Sequence, residues 1–225
     1  MRNSPSVVSR GALPWAPVLL VLMAACGPGS PDPSAGGPSP EAAEPGENPQ
    51  EQSGGDAGLL VPPGYGTLLQ DDITLRLQSG DLLVKVTPLE EWVIRLTAPD
   101  TYTRLRGLSQ AHGDRAARRA AEASLFLVSL FSYQPDVTYE PEDLLLVNRG
   151  LRSRPVGIAA VTPSWGTQRL AQQETRMAVY AFDGSIDLQT ELVVEYKELR
   201  NETWRDRILP ALEVERAKVR ARGGG

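Results

Sequence analysis

The residues that could carry out acid–base or nucleophilic chemistry are few and dispersed. His112 is the single histidine, so the sequence contains no histidine-rich metal cluster. Adjacent carboxylates occur at 71–72, 90–91 and 142–143. Two catalytic acids must face one cleft, whereas neighbouring residues on a strand point to opposite faces. We interpret the acid pairs as surface groups at turns, and the sequence predicts no catalytic residue, no metal and no cofactor.

A second set of residues suits binding rather than catalysis. Trp165 lies in a predicted loop, with Arg152, Arg154 and Arg169 close to it in sequence. Tryptophan and arginine are the most common anchors of protein interfaces, and loops at the end of a β-sandwich form natural binding surfaces. The sequence therefore predicts that these four residues bind a partner. The alternative is that Trp165 caps the core and the arginines are solvated.

Cys26 is the single cysteine, and it ends a short apolar run, residues 18–25, that follows Arg2 and Arg10. A basic start, a short apolar segment and small residues before a cleavage point are typical of a secretory signal peptide. With the cysteine directly after the small residues, the segment resembles the lipobox of bacterial lipoproteins. The resemblance implies cleavage before Cys26 and acylation of its thiol and new amino group. An ordinary signal peptide with a chance cysteine and an uncleaved membrane anchor remain as alternatives.

The segment after Cys26 has the composition of a flexible tether. Residues 27–58 contain seven prolines and six acidic residues, with no lysine or arginine. Such a segment cannot bury enough apolar surface to offset its ordering entropy, so we expect disorder and a role as a spacer. The predicted organisation is a signal peptide over 1–25, the lipidated cysteine and tether over 26–58, and one globular domain over 59–225.

Charge is distributed unevenly along the chain. The formal net charge is −5, of which the tether contributes −6 and the signal peptide +2, leaving −1 for residues 59–225. A nearly neutral domain argues against non-specific nucleic-acid binding, which depends on an excess of lysine and arginine.

The first half of the domain combines strand and helix patterns. Alternating apolar residues predict strands over 73–77, 82–86 and 92–96, which we expect to form an antiparallel meander. A helix is predicted from Pro99. We expect Gly113–Asp114 to interrupt it and a second helix to cover 115–123. Arg115, Arg118 and Arg119 would then lie on a solvated helix face, with acidic lipid or a partner as the alternative contact. The apolar run 124–133 fits either a strand or a continued helix, and we favour a strand from about Leu125.

The second half of the domain is predicted to be almost entirely β. Turn residues separate five strand candidates, at 136–139, 144–147, 156–161, 176–182 and 191–196. This regular spacing of short strands and turns resembles that of the immunoglobulin-like sandwich domains of bacterial envelope proteins, over about Asp136 to Tyr196. The predicted fold is mainly β (α+β), an antiparallel β-sandwich-like domain with a central helix and a C-terminal amphipathic helix.

The C-terminal helix is predicted over about 203–222. Trp204, Ile208 and Leu212 recur every four residues and form an apolar stripe. Asn201 or Thr203 can cap its start, and Pro210 should kink it or divide it in two.

Together these features favour a membrane-anchored envelope lipoprotein that serves as a non-catalytic binding or assembly module. Its expected partners are the membrane, through lipid at Cys26, and an envelope protein or polymer. Gly27 and Pro28 follow the cysteine in place of the acidic retention signal of enterobacterial lipoproteins, which implies the outer membrane if the organism has one. The alternative function is a hydrolase of an envelope polymer that uses the acid pairs and His112.

Overall fold

The computed structural model describes residues 61–184 and 186–223. The predicted signal peptide, Cys26 and tether therefore lie outside the described residues. The helices are α1 (Glu91–Ile94), α2 (Pro99–Ala116) and α3 (Leu209–Gly223). The strands are β1 (Leu75–Ser79), β2 (Leu82–Pro88), β3 (Ala123–Ser132), β4 (Val137–Thr138), β5 (Leu144–Asn148), β6 (Leu151–Ser153), β7 (Pro155–Ala160), β8 (Arg169–Leu170), β9 (Thr175–Asp183), β10 (Leu192–Tyr196) and β11 (Leu199–Asn201).

The described strands form three antiparallel sheets. Their orders are β1-β2-β3-β9-β7, β11-β10-β5-β6 and the short pair β4-β8. The two larger sheets enclose one core, to which Phe126 and Phe182 contribute from the five-stranded sheet and Leu146 and Val194 from the four-stranded sheet. Within β3, residues 124, 126, 128, 130 and 132 are all buried, as the period of two requires. The predicted fold class, mainly β and sandwich-like with a central and a C-terminal helix, is confirmed.

Residues 92–96 form no strand, and this prediction is wrong. Residues 91–94 are a single helical turn, α1. Trp92, Ile94 and Leu96 fit the alternation of a strand, but Val93 between them is apolar and fully buried too. A helical turn can direct the adjacent side chains of Val93 and Ile94 into one core, whereas a strand would send them to opposite faces. The third strand of the meander is β3.

Helix α2 runs without a break through Gly113–Asp114, and residues 115–123 form no second helix, so this prediction is also wrong. A Cβ at Gly113 would lie 2.8 Å from Cδ1 of Leu125, so this glycine allows α2 to lie close to the sheet rather than interrupting the helix. The helix ends at Ala116, and the favoured strand from about Leu125 is confirmed as part of β3.

The five strands predicted in the second half are present, and β6, β8 and β11 add to them. β5 and β6 are joined by a two-residue turn at Arg149 and Gly150, whose φ values are 53° and 76°. Positive φ at both positions is the mark of a type I′ hairpin turn. Only Arg154 separates β6 from β7, so the chain passes there from the four-stranded to the five-stranded sheet.

The C-terminal helix begins as a π-helical turn over Trp204–Ile208 and continues as α3. Pro210 has no N–H to donate to the carbonyl four residues earlier, and the π-helical turn lies directly before this position. Trp204, Ile208 and Leu212 are fully buried, which confirms the predicted stripe. No helix within residues 61–184 and 186–223 has the length and apolar character needed to cross a membrane.

Candidate functional site: a cleft between hairpin tips

Trp165 lies in the core rather than on the surface. Its side chain is 6% exposed, and its ring centroid is 5.2 Å from that of Tyr139 and 6.1 Å from that of Tyr180. The Tyr139 hydroxyl also donates to the Trp165 carbonyl (2.6 Å). These contacts match the alternative interpretation, in which Trp165 caps the core, because a buried ring cannot serve as an exposed anchor.

The three arginines grouped with Trp165 differ in their local surroundings. Arg152 on β6 pairs with Glu195 (3.2 Å) across the four-stranded sheet. Arg154 is exposed at the crossing between the sheets. Arg169 on β8 pairs with Asp136 (2.6 Å). Two of the three arginines are thus held in ion pairs with carboxylates, and partner binding by the three arginines remains a prediction.

The candidate catalytic groups have local structural partners. Burial tends to raise the pKa of Asp71, but hydrogen bonds and charges from Lys85 and Arg76 outweigh it and lower the pKa. The Glu91 carboxylate accepts from the Tyr102 hydroxyl (2.7 Å). Nδ1 of His112 lies 2.7 Å from Nη2 of Arg115. Within the described residues, no group of three or more His, Cys, Asp or Glu is arranged to hold a metal ion.

A concave surface opens where two hairpin tips of the sandwich approach β4, and we call it the loop-end cleft. Its volume is about 380 Å³, in the lower range of small-ligand sites. Ser79, Asp81 and Leu82 line it from the β1–β2 turn, Val137 and Thr138 from β4, and residues 196–199 from the β10–β11 turn.

Backbone hydrogen bonds tie the loops around the loop-end cleft to one another. The N–H of Tyr133 donates to the Asp81 carbonyl (2.9 Å), and the N–H of Gln173 donates to the Ser132 carbonyl (2.9 Å). On β4, Thr138 pairs with Arg169 of β8. The Arg169–Asp136 ion pair therefore belongs to the short sheet that forms one wall of the cleft.

Backbone strain is concentrated in these loops. Five non-glycine residues of the described chain have positive φ, and four of them, Asp136, Gln168, Gln173 and Lys197, lie in or next to the segments just described. A residue with a Cβ atom rarely adopts positive φ, so contacts with the surrounding residues must stabilise this conformation. Backbone strain of this kind clusters at functional sites. The loop-end cleft is thus a preformed surface.

The cleft carries charges of both signs beside apolar groups. Lys197 supplies a cation and Asp81 and Glu198 supply anions, while Val137 and Leu82 contribute apolar surface. Burial raises the pKa of the Tyr196 hydroxyl, which accepts from the Glu140 N–H (3.1 Å) and so belongs to the wall. Mixed charges and exposed hydroxyls suit the polar backbone of a peptide or a glycan. Sequence reasoning missed this site because its residues come from two separate turns and from β4.

Comparisons with known proteins identify no family. No family model matches the chain, and no curated protein matches it. Among solved structures, the chain is similar to the secreted protein MPT63 of Mycobacterium tuberculosis, with 10% sequence identity and a TM-score of 0.32 over 60% of this chain and 94% of that chain. A similarity of this size carries no functional argument, so the site rests on the residues of this chain alone.

Proposed function

We propose that this chain is a lipid-anchored protein of the cell envelope whose β domain is a non-catalytic binding module. The loop-end cleft holds a segment of an envelope protein or polymer. The observation that supports this proposal is the cleft itself, which joins two hairpin tips and β4 beside strained loops. Rigid strands carrying preformed loops are the usual architecture of a binding surface.

The anchor in this proposal is Cys26, acylated after removal of residues 1–25. The acidic, proline-rich segment over 27–58 then separates the domain from the leaflet, which is the outer membrane where the organism has one. A flexible chain of this length spans roughly 30 Å and keeps the domain near the membrane while it binds its partner. The signal sequence and the composition of the segment support this arrangement.

The test blocks the cleft and leaves the rest of the surface unchanged. Thr138 is exposed and lines the cleft, so Thr138→Arg fills it without disturbing the core. Thr103 is exposed on α2, and Thr103→Arg is the matched control. After chemical crosslinking in cells, the acylated chain is purified and its adducts are compared by mass spectrometry.

The proposal expects a defined adduct in the wild type and in Thr103→Arg that is lost in Thr138→Arg. An adduct that is equally abundant in all three proteins would contradict binding in the cleft. The absence of any adduct in the wild type would contradict the binding module as a whole.

A further inference from the structure

A second concave surface lies between the C-terminal end of α2 and β7. It has a volume of about 270 Å³, just below the usual range of small-ligand sites. Arg115, Arg118 and Arg119 line one side, and Val156 and Ile158 line the other. We call this surface the arginine groove, and we propose that it binds a phosphate group. It is separate from the loop-end cleft, and this inference does not depend on the proposed function.

The fold brings the three guanidinium groups together at the end of a helix. Arg115 belongs to the last turn of α2, and the chain then forms a turn in which the N–H of Ala120 donates to the Ala117 carbonyl (2.9 Å). Arg118 and Arg119 are the two central residues of this turn, and both are exposed. Three cations thus occur within five residues on a bend rather than along a regular helix face.

Gly157 determines how closely α2 approaches the strand. A Cβ at this position would lie 1.9 Å from the Ala116 carbonyl oxygen, so only glycine allows this contact. The contact places the arginine-bearing end of α2 directly over the edge of β7. Val156 and Ile158 of β7 therefore form the apolar side of the groove.

One arginine is already oriented for binding. Nη2 of Arg115 donates to the Ala160 carbonyl (2.9 Å) and lies 2.7 Å from Nδ1 of His112. These bonds fix the guanidinium plane, which lowers the entropy lost when a ligand binds.

The charge in the groove is not neutralised within the described residues. No carboxylate among them lies within ion-pair distance of Arg115, Arg118 or Arg119. The carbonyl end of α2 offsets only part of this charge, and its effect fades within one turn. The groove therefore has an excess of both positive charge and hydrogen-bond donors.

Phosphate fits these donors better than a carboxylate does. A carboxylate is planar and carries one negative charge, whereas a phosphate ester carries about −1.5 to −2 charges and three acceptor oxygens that point in different directions. Arginine binds such oxygens bidentately. The guanidinium groups of Arg115 on α2 and of Arg118 and Arg119 on the turn can therefore each donate to a different oxygen of a phosphate group.

The test follows the arginine Nε–Hε resonances of the full chain in non-ionic detergent by NMR. Two probes are titrated, inorganic phosphate and short-chain phosphatidic acid, whose headgroup is a phosphate monoester, each against sodium chloride at equal ionic strength. We expect saturable shifts of the Arg115, Arg118 and Arg119 signals. The double variant Arg118→Gln/Arg119→Gln should bind at least about tenfold more weakly, since each lost charged hydrogen bond weakens binding by this order.

The control variant removes the same charge elsewhere. Arg205→Gln/Arg220→Gln replaces two exposed arginines of the C-terminal helix, and it should bind the probes as the wild type does. Tighter binding of the lipid supports a headgroup as the natural source of the phosphate, and equal or tighter binding of inorganic phosphate supports a soluble phosphate compound. Shifts that do not saturate, or equal weakening in both double variants, would overturn the proposal.

Discussion

The carboxylate of Glu215 should contribute more to the stability of the domain than any exposed ion pair. Its side chain lies on α3 and is 1% exposed. It accepts from the N–H of Thr67 (2.9 Å), from the Thr67 hydroxyl (3.0 Å) and from Nη2 of Arg222 (3.3 Å). It also pairs with Lys218 (3.2 Å). These contacts fasten the C-terminal helix to the segment that precedes β1.

Replacing this carboxylate leaves several donors without an acceptor. Breaking a buried charged pair by removing one partner costs about 3–5 kcal/mol, and we expect this loss of unfolding free energy for Glu215→Ala. Glu215→Gln keeps the shape and one acceptor for Thr67, so we expect a smaller loss of about 1–2 kcal/mol. Glu213→Ala on the exposed side of α3 should change stability by at most about 0.5 kcal/mol.

The lowered pKa of Glu215 implies that the stability of the domain depends on pH. Burial tends to raise the pKa of Glu215, but hydrogen bonds from Thr67 and Lys218 outweigh it and hold the pKa below its ordinary value of 4.5. A carboxylate whose folded-state pKa is lowered stabilises the fold above its unfolded-state pKa and loses that contribution as the pH falls through the folded value. The stability difference between the wild type and Glu215→Gln should therefore be constant near neutral pH and shrink below about pH 4.5.

Urea denaturation measures both effects. Unfolding is followed by tryptophan fluorescence, and the free energies of unfolding of the wild type, Glu215→Ala, Glu215→Gln and Glu213→Ala are compared at neutral and acidic pH. A loss of less than about 1 kcal/mol for Glu215→Ala would refute the reasoning, because a buried acceptor of several donors cannot be removed at so small a cost. A stability difference for Glu215→Gln that does not change with pH would refute the role assigned to the charge.

Three further changes have defined outcomes. Gly66→Ala should lower the free energy of unfolding by about 2 kcal/mol or more, since an added Cβ would lie 1.8 Å from the Leu96 carbonyl oxygen; an unchanged thermal midpoint would contradict this packing. Trp204→Phe should cost about 1–3 kcal/mol in urea denaturation, because it removes the indole donor to the Leu188 carbonyl (3.1 Å); no loss would contradict the importance of this bond. Cys26→Ser should abolish labelling of the chain with alkyne-tagged palmitate in cells; retained labelling would contradict the anchor.

Strands with one buried face were predictable because their pattern is local. The strand predicted over 144–147 matches β5, where residues 144, 146 and 148 are buried and the residues between them are only half-buried. The pattern failed at 92–96 because Val93 is buried as well as Ile94 and Leu96, and local alternation does not separate a helical turn from a short strand in that case. The break expected at Gly113 failed for a different reason: this glycine serves a contact with Leu125, which is close to it only in the folded chain.

The candidate site could not be predicted because it depends on pairing between distant segments. Each turn around the loop-end cleft has an ordinary polar composition, and only the sheet topology brings residues 79–82 next to residues 196–199. The positive φ of Lys197 has no sequence signal, since glycine or asparagine is the usual residue there. For Trp165 the sequence left a surface and a core position open, because its neighbours are typical of a loop, whereas in the folded chain Tyr139 and Tyr180 bury its ring.

The most direct test of the binding module is photo-crosslinking from inside the loop-end cleft. A benzophenone amino acid is introduced at Ser79, which is exposed and lines the cleft, and at Gln110, which is exposed on α2. Cells producing either protein are irradiated, and the adducts are separated by mass. The account predicts one defined adduct from position 79 and none of that mass from position 110. The same adduct from both positions, or none from position 79, would contradict it.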